Sequence, residues 1–121
     1  MKRYVELEKN ELATHLKIET RYDLGGPNWA YGGTTKRGYY LSVMPVTREN
    51  RNGYWLESYV GFTGAKQLLK EVTRKSAKAE ATAEENAKNY IHSLVEYVCE
   101  SNNIPIPSEF VYPEVNYLEK L

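Results

Sequence analysis

The chain is short of the residues that most enzyme chemistry and most metal sites depend on. It has one cysteine, Cys99, one aspartate, Asp23, and two histidines, His15 and His92. A lone cysteine excludes an internal disulfide and agrees with a reducing compartment. His92, Glu96 and Cys99 recur at i, i+4 and i+7 and share a helix face, but no second cysteine exists and His15 is far away in sequence. They read as the flank of a helix, and no metal or cofactor is expected. A nucleophilic Cys99–His92 pair would lack both a Gly-rich oxyanion turn and a positioned aspartate. No run approaches the roughly 20 apolar residues of a membrane span, and Met1-Lys2-Arg3-Tyr4 leads into alternating charge, not the apolar centre of a signal peptide. The expectation is a soluble cytoplasmic protein without a membrane partner. At 121 residues and 41% hydrophobic content the chain suits one domain, residues 1–121, around one core.

Aromatic residues are plentiful. Tyr22 to Phe62 holds six tyrosines, both tryptophans and a phenylalanine. The net charge of zero conceals a split: residues 13–79 carry eleven Lys and Arg against five acids, a net of +6, whereas residues 80–121 carry Lys88 and Lys120 against eight glutamates, a net of −6. Such halves can attract each other, or present a basic face to phosphate or an acidic protein and an acidic face to a nucleic-acid-binding partner.

Periodicity divides the chain in two. From His15 to Leu24 it alternates, with Leu16, Ile18, Thr20, Tyr22 and Leu24 on one side and His15, Lys17, Glu19, Arg21 and Asp23 on the other, which predicts a half-buried strand. Tyr39–Val46 and Tyr54–Phe62 predict two more, joined by a hairpin at Arg48–Gly53 in which Asn52-Gly53 tolerates positive φ. Pro45 predicts a bulged or unpaired end to the second strand. Ala65, Leu68, Leu69 and Val72 then recur at helical spacing behind Thr63, a candidate N-cap. Arg74, Lys75 and Lys78 followed by Glu80, Glu84 and Glu85 suit the end of one helix and the start of another, although the Ala-rich stretch would also propagate one long helix. Ile91, Leu94, Val95 and Val98 form an apolar stripe, and the tail from Ile104 should run extended. The fold class expected is α+β: a three-stranded antiparallel sheet followed by one long or two consecutive C-terminal helices and an extended tail. Leu16, Ile18, Leu56, Val60, Leu69, Ile91, Leu94 and Val98 are the expected core.

The 14-residue segment Gly25–Gly38 is long for a hairpin connection, and loops of that length tend to carry function. Trp29 and Tyr31, with Lys36 and Arg37, are candidate contact residues there, because Trp, Tyr and Arg dominate binding hot spots. Its glycine spacing does not match a phosphate-binding loop, and it joins strand to strand. Tyr40, Arg48, Arg51 and Trp55 on the strands and Arg74, Lys75 and Lys78 further on complete the candidate binding set. Arg37-Gly38-Tyr39 resembles the opening of the basic-aromatic strand of an RNA-recognition motif, but Tyr40-Leu41-Ser42-Val43 departs from it. Thr73–Ala87 resembles the basic final helix of a double-stranded RNA-binding domain, with an extra helical stretch before it.

In Gly38-Tyr-Tyr-Leu-Ser-Val-Met-Pro-Val46 and Val72-Thr-Arg-Lys-Ser-Ala-Lys-Ala-Glu-Ala81 the chain resembles small uncharacterised accessory proteins of Gram-positive phages and conjugative elements. The resemblance implies a protein that inhibits a host nucleic-acid-handling enzyme or defence nuclease by surface complementarity, as anti-CRISPR proteins do. It assigns no residue. The function expected is therefore a non-enzymatic binding module with a protein partner. The alternatives are direct RNA or DNA binding through Arg37, Arg48, Arg51, Arg74, Lys75 and Lys78, and, third, an enzyme using Cys99 or His92.

Overall fold

The computed structural model describes residues 2–28, 33–59 and 63–107. The fold is α+β, an antiparallel sheet followed by two helices. The strands are β1 (Lys2–Glu6), β2 (His15–Asp23), β3 (Gly26–Asn28), β4 (Gly33–Thr35), β5 (Gly38–Arg51), β6 (Tyr54–Ser58) and β7 (Ala65–Glu71), and the helices are α1 (Ala77–Ala87) and α2 (Ile91–Ser101). The main sheet has five strands, not three. The fourteen residues of β5 organise it: Gly38–Val46 pair with β2, Gly38–Val43 also with β7, and Thr47–Arg51 with β6. β1 adds to the far side of β2, and β3 and β4 form a separate two-stranded ribbon within the long Gly25–Gly38 connection.

Local chemistry explains these elements. The β5–β6 turn has positive φ at both Asn52 (51°) and Gly53 (87°), the type I′ conformation that matches strand twist. Pro45 pairs with Leu16 on one side and lies in the interval between the β7 and β6 pairings on the other, where its missing N–H is harmless. The strand does not end there, but continues to Arg51. Ser76 caps α1 by accepting a hydrogen bond from the Ala79 N–H at 3.1 Å. Lys88, Asn89 and Tyr90 close the helix with bonds to the third residue back, and α2 restarts at Ile91, so the helical region is two helices. α2 ends on Asn103 at φ 59°, with Ile104 N–H donating to the Cys99 carbonyl at 2.8 Å, a Schellman cap.

Segment Ala65–Val72 corrects the helical reading: Ala65–Glu71 is strand β7. A register shift opposite Tyr39/Tyr40 leaves Leu69 as an extra residue, so Leu68 pairs with Tyr40 while its neighbour Leu69 enters the core. That bulge breaks the alternation and leaves apolar residues at apparent helical spacing. Thr63, read as an N-cap, instead exchanges hydrogen bonds with the Asn102 side chain at 2.9 and 2.7 Å. Arg74 and Lys75 precede α1 and Lys78 lies in its first turn, so these cations open a helix and do not close one.

Both helices cover one face of the sheet. Val5, Leu16, Ile18, Tyr39, Leu41, Val43 and Leu69 meet Ala79, Ala83, Ala87, Ile91, Val95, Val98 and Cys99 in one buried cluster. Small alanines on α1 let it lie close to β7, and the Asn86 side chain donates to the Leu69 carbonyl at 3.0 Å. Leu94 packs on the edge of the cluster. Leu56 does not join it, being 44% exposed, and Leu24, past the end of β2, is exposed as well. Val60 and the tail beyond Pro107 lie outside the described residues. Among the described residues no helix is long and apolar enough to cross a membrane.

Candidate functional site

Alternation along the strands sends every second side chain to the face without helices. Register carries Tyr4, Lys17 and Met44 across one row, Lys2, Glu19, Ser42 and Lys66 across another, and Arg21, Tyr40 and Leu68 across a third. Two adjoining depressions of about 520 and 480 Å³ share Arg21, Ser42 and Met44, and so form one shallow groove. Lys17, Glu19 and Tyr59 line one end, and Thr35, Tyr40, Gly64 and Lys66 the other.

Cations and rings are interleaved along this face. The Arg48 guanidinium lies between two rings, 3.8 Å from the centroid of Tyr4 and 4.3 Å from that of Trp55, with Glu57 at 3.7 Å. Lys17 stands 5.0 Å from the Tyr59 ring, bonds the Tyr59 hydroxyl and meets Glu57 at 3.3 Å, while that hydroxyl donates to Glu57 at 2.6 Å. Lys66 lies 4.7 Å over Tyr40 and bonds Asp23 at 2.9 Å. Arg21 has Glu19 at 3.6 Å. Lys17, Arg21, Arg48 and Lys66 therefore each have a carboxylate nearby, Lys17 and Arg48 sharing Glu57. Its rings are held in place by cations and by hydrogen bonds, with Trp55 and Tyr59 still 54% and 47% exposed.

These contacts move protonation equilibria in readable directions. Burial, with Arg48 nearby, holds the His15 imidazole below its ordinary value, and Glu6 opposes this. The Gly25 N–H and the Lys66 ammonium hold the Asp23 carboxyl below its ordinary value. Burial, helped by Asp23 and Glu71, raises the Tyr40 phenol.

The residues anticipated from sequence do not form one surface. Tyr40, Arg48 and Trp55 belong to the helix-free face, although Tyr40 is buried, its hydroxyl donating to the Lys36 carbonyl at 2.6 Å. Arg51 is exposed beside the hairpin turn, 2.8 Å from Glu49. Arg37, Arg74, Lys75 and Lys78 gather at the opposite end, near the start of α1. Arg37 donates to the carbonyls of Leu24 and Thr73 at 2.9 and 3.2 Å, Lys36 has Glu71 at 3.8 Å, and Lys75 lies 5.3 Å from the Tyr22 ring. Thirteen residue steps of β5, from Gly38 to Arg51, separate the two groups by roughly 40 Å. Trp29 and Tyr31 lie outside the described residues. Sequence reasoning missed Tyr4, Lys17, Arg21, Tyr59 and Lys66. The polar side of the alternating β2 segment already held Lys17 and Arg21, and would have led to them had it been taken as the uncovered face.

His92 and Cys99 part company. His92 Nε2 meets Glu96 at 2.7 Å on the outside of α2, whereas Cys99 is fully buried, and burial together with Glu100 pushes its thiol up to about 11. Among the described residues no cluster of His, Cys, Asp and Glu could hold a metal ion. No family model, curated protein or solved structure matches the chain.

Proposed function

We propose that the protein is a non-enzymatic binding module whose helix-free sheet face docks a protein partner. The observation that carries this reading is the Tyr4–Arg48–Trp55 stack beside Tyr59. Aromatic and Arg side chains are the usual anchors of interfaces, and here they are pre-oriented, so little rotamer entropy remains to be lost on docking. Trp55 and Tyr59 keep about half of their surface in water with no covering element among the described residues, a liability unless a partner covers them.

The same geometry favours protein over nucleic acid on this face. Single-stranded nucleic acid needs free ring faces and unpaired cations, but Tyr4, Trp55 and Tyr40 have cations over their rings and those cations sit beside carboxylates. Direct RNA or DNA binding finds its support at the other end, in Arg37, Arg74, Lys75 and Lys78, where Arg48 and Arg51 cannot contribute. For the partner we propose a host nucleic-acid-handling enzyme or defence nuclease, inhibited in the manner of anti-CRISPR proteins. This rests on the resemblance noted above.

Affinity capture from a bacterial lysate, paired with gel shifts of the purified protein on single- and double-stranded DNA and RNA across a salt series, tests the reading. Capture that Trp55→Ala abolishes, without a nucleic-acid shift, is the expected result. A shift that weakens steeply with salt and is lost on Arg74→Ala with Lys75→Ala would move the function to the basic end.

A further inference from the structure

We infer that the outer edge of β6 is a strand-addition site whose occupant is a second copy of this chain, paired antiparallel about Leu56. Three edges of the sheet are open among the described residues: β1 beyond β2, and β6 and β7 beyond β5. Proteins guard such edges with lysines, bulges and prolines, because bare N–H and C=O groups recruit foreign strands. β7 is guarded by Lys66, Lys70 and the bulge at Leu69, and β1 carries Lys2 and Arg3. β6 is as short as β1 but has no lysine, proline or bulge. It reads Tyr-Trp-Leu-Glu-Ser, and its one charge, Glu57, is occupied by Arg48 and Lys17 and is only 20% exposed in its side chain. Tyr54, Trp55 and Leu56, by contrast, are 75%, 54% and 44% exposed.

The hydrogen-bond parity of the strand selects the register. In a two-residue hairpin the flanking residues, here Arg51 and Tyr54, bond to each other, so Leu56 also points its backbone groups at β5, and Trp55 and Glu57 point theirs outward. A two-fold axis through Leu56 then places Trp55 opposite the partner's Glu57 as a bonded pair and Leu56 opposite the partner's Leu56 as a non-bonded one, the type with the closest side chains. Tyr54 falls opposite the partner's Ser58. No like charges meet in this register. A shift by one residue would pair inward-facing with outward-facing backbone groups and lose the ladder.

Size sets the expected strength. Covering the exposed side chains of β6 in two copies removes on the order of 800 Å², below the roughly 1,200 Å² at which stable specific contacts begin. The dimer is therefore weak and concentration-dependent. The pairing uses the main-chain edge and does not depend on the identity of any partner of the sheet face.

Sedimentation velocity of the full chain over a concentration series, with two variants, tests it. The wild type should shift from monomer toward dimer as concentration rises, and Leu56→Lys, which sets two ammonium groups face to face on the axis, should remain monomeric with unchanged thermal unfolding. Leu56→Cys should form a disulfide-linked dimer on mild oxidation, since a non-bonded antiparallel pair has a Cα separation of about 4.5 Å, close to that of natural disulfides; Cys99 is buried and does not compete. Tyr54→Cys should cross-link far less. A wild type that stays monomeric throughout overturns the proposal and leaves the binding-face reading standing. A dimer that persists in Leu56→Lys, or Leu56→Cys that fails to cross-link, overturns it too, by placing the interface elsewhere.

Discussion

Gly38→Ala tests the pairing that sequence periodicity concealed, that of β5 with β7. Gly38 opens β5 opposite Glu71, and a Cβ added there would lie 2.2 Å from the Lys70 carbonyl oxygen and 3.0 Å from the Glu71 Cα. Both are backbone atoms, so no side chain can swing away; the end of β7 must move by about an ångström. That movement pulls on the Val72 N–H bond to the Arg37 carbonyl (3.2 Å) and on the Arg37 bond to the Thr73 carbonyl (3.2 Å). Overpacking costs about 1–3 kcal/mol and a strained backbone bond adds roughly 1, while the smaller entropy of the unfolded alanine chain returns about 0.4–1. The net is a loss of about 2 kcal/mol, which for a domain of this size lowers the melting temperature by roughly 10 °C. Thermal unfolding followed by circular dichroism reads it. Gly53→Ala is the control: open space surrounds that position, so only its positive φ is penalised, and its loss should be about 1 kcal/mol. A Gly38→Ala protein melting within a degree or two of wild type would refute the β5–β7 pairing at this point.

Other expectations concern protonation and reactivity. His15 has a folded value below its ordinary 6.5, so the unfolded chain takes up that proton first; the contribution of neutral His15 is complete above pH 6.5 and lost as pH falls below it. His15→Gln should flatten the fall in stability between pH 7 and 5, measured by urea unfolding at each pH. Asp23, held below its ordinary 3.8, stabilises above that value and ceases to do so as pH drops through the folded one, so Asp23→Asn should flatten the curve below about pH 4. Cys99, buried and raised to about 11, should resist a thiol reagent in the native protein at pH 8 and react at once in denaturant, and Cys99→Ser should leave binding unchanged.

Regular patterns were legible in the sequence, and exceptions to them were not. The alternation of Leu16 and Ile18 with Lys17 and Glu19 marked β2 and its buried face, and the Ile91–Val98 stripe marked the helix that covers it. Asn52-Gly53 marked the hairpin. β7 escaped because the bulge at Leu69 breaks the alternation and leaves Ala65, Leu68, Leu69 and Val72 at helical spacing, and no local signal separates that from a helix. β1 is five residues long, too short for its alternation to stand out beside a charged turn. Leu56 was assigned to the core because it alternates correctly; β6, however, lies where the helices do not reach, and alternation alone cannot reveal which face is covered. The binding residues suffered similarly. Arg48 and Trp55 were visible by residue type, but their partner Tyr4 comes from a strand distant in sequence, and only the β1–β2–β5–β6 register brings the three together. The six cations grouped by charge turn out to occupy two ends of a fourteen-residue strand.

The central claim, that the helix-free face docks a protein through its ordered aromatic and Arg side chains, is tested most directly by Trp55→Ala with Tyr59→Ala. Capture of partner from lysate and thermal unfolding would be measured on the same preparations. Because both side chains are about half exposed, the account predicts a melting temperature within a few degrees of wild type and a loss of capture of at least about tenfold, as for residues that each supply more than about 1 kcal/mol to an interface. Capture at the wild-type level by a folded double variant would contradict it.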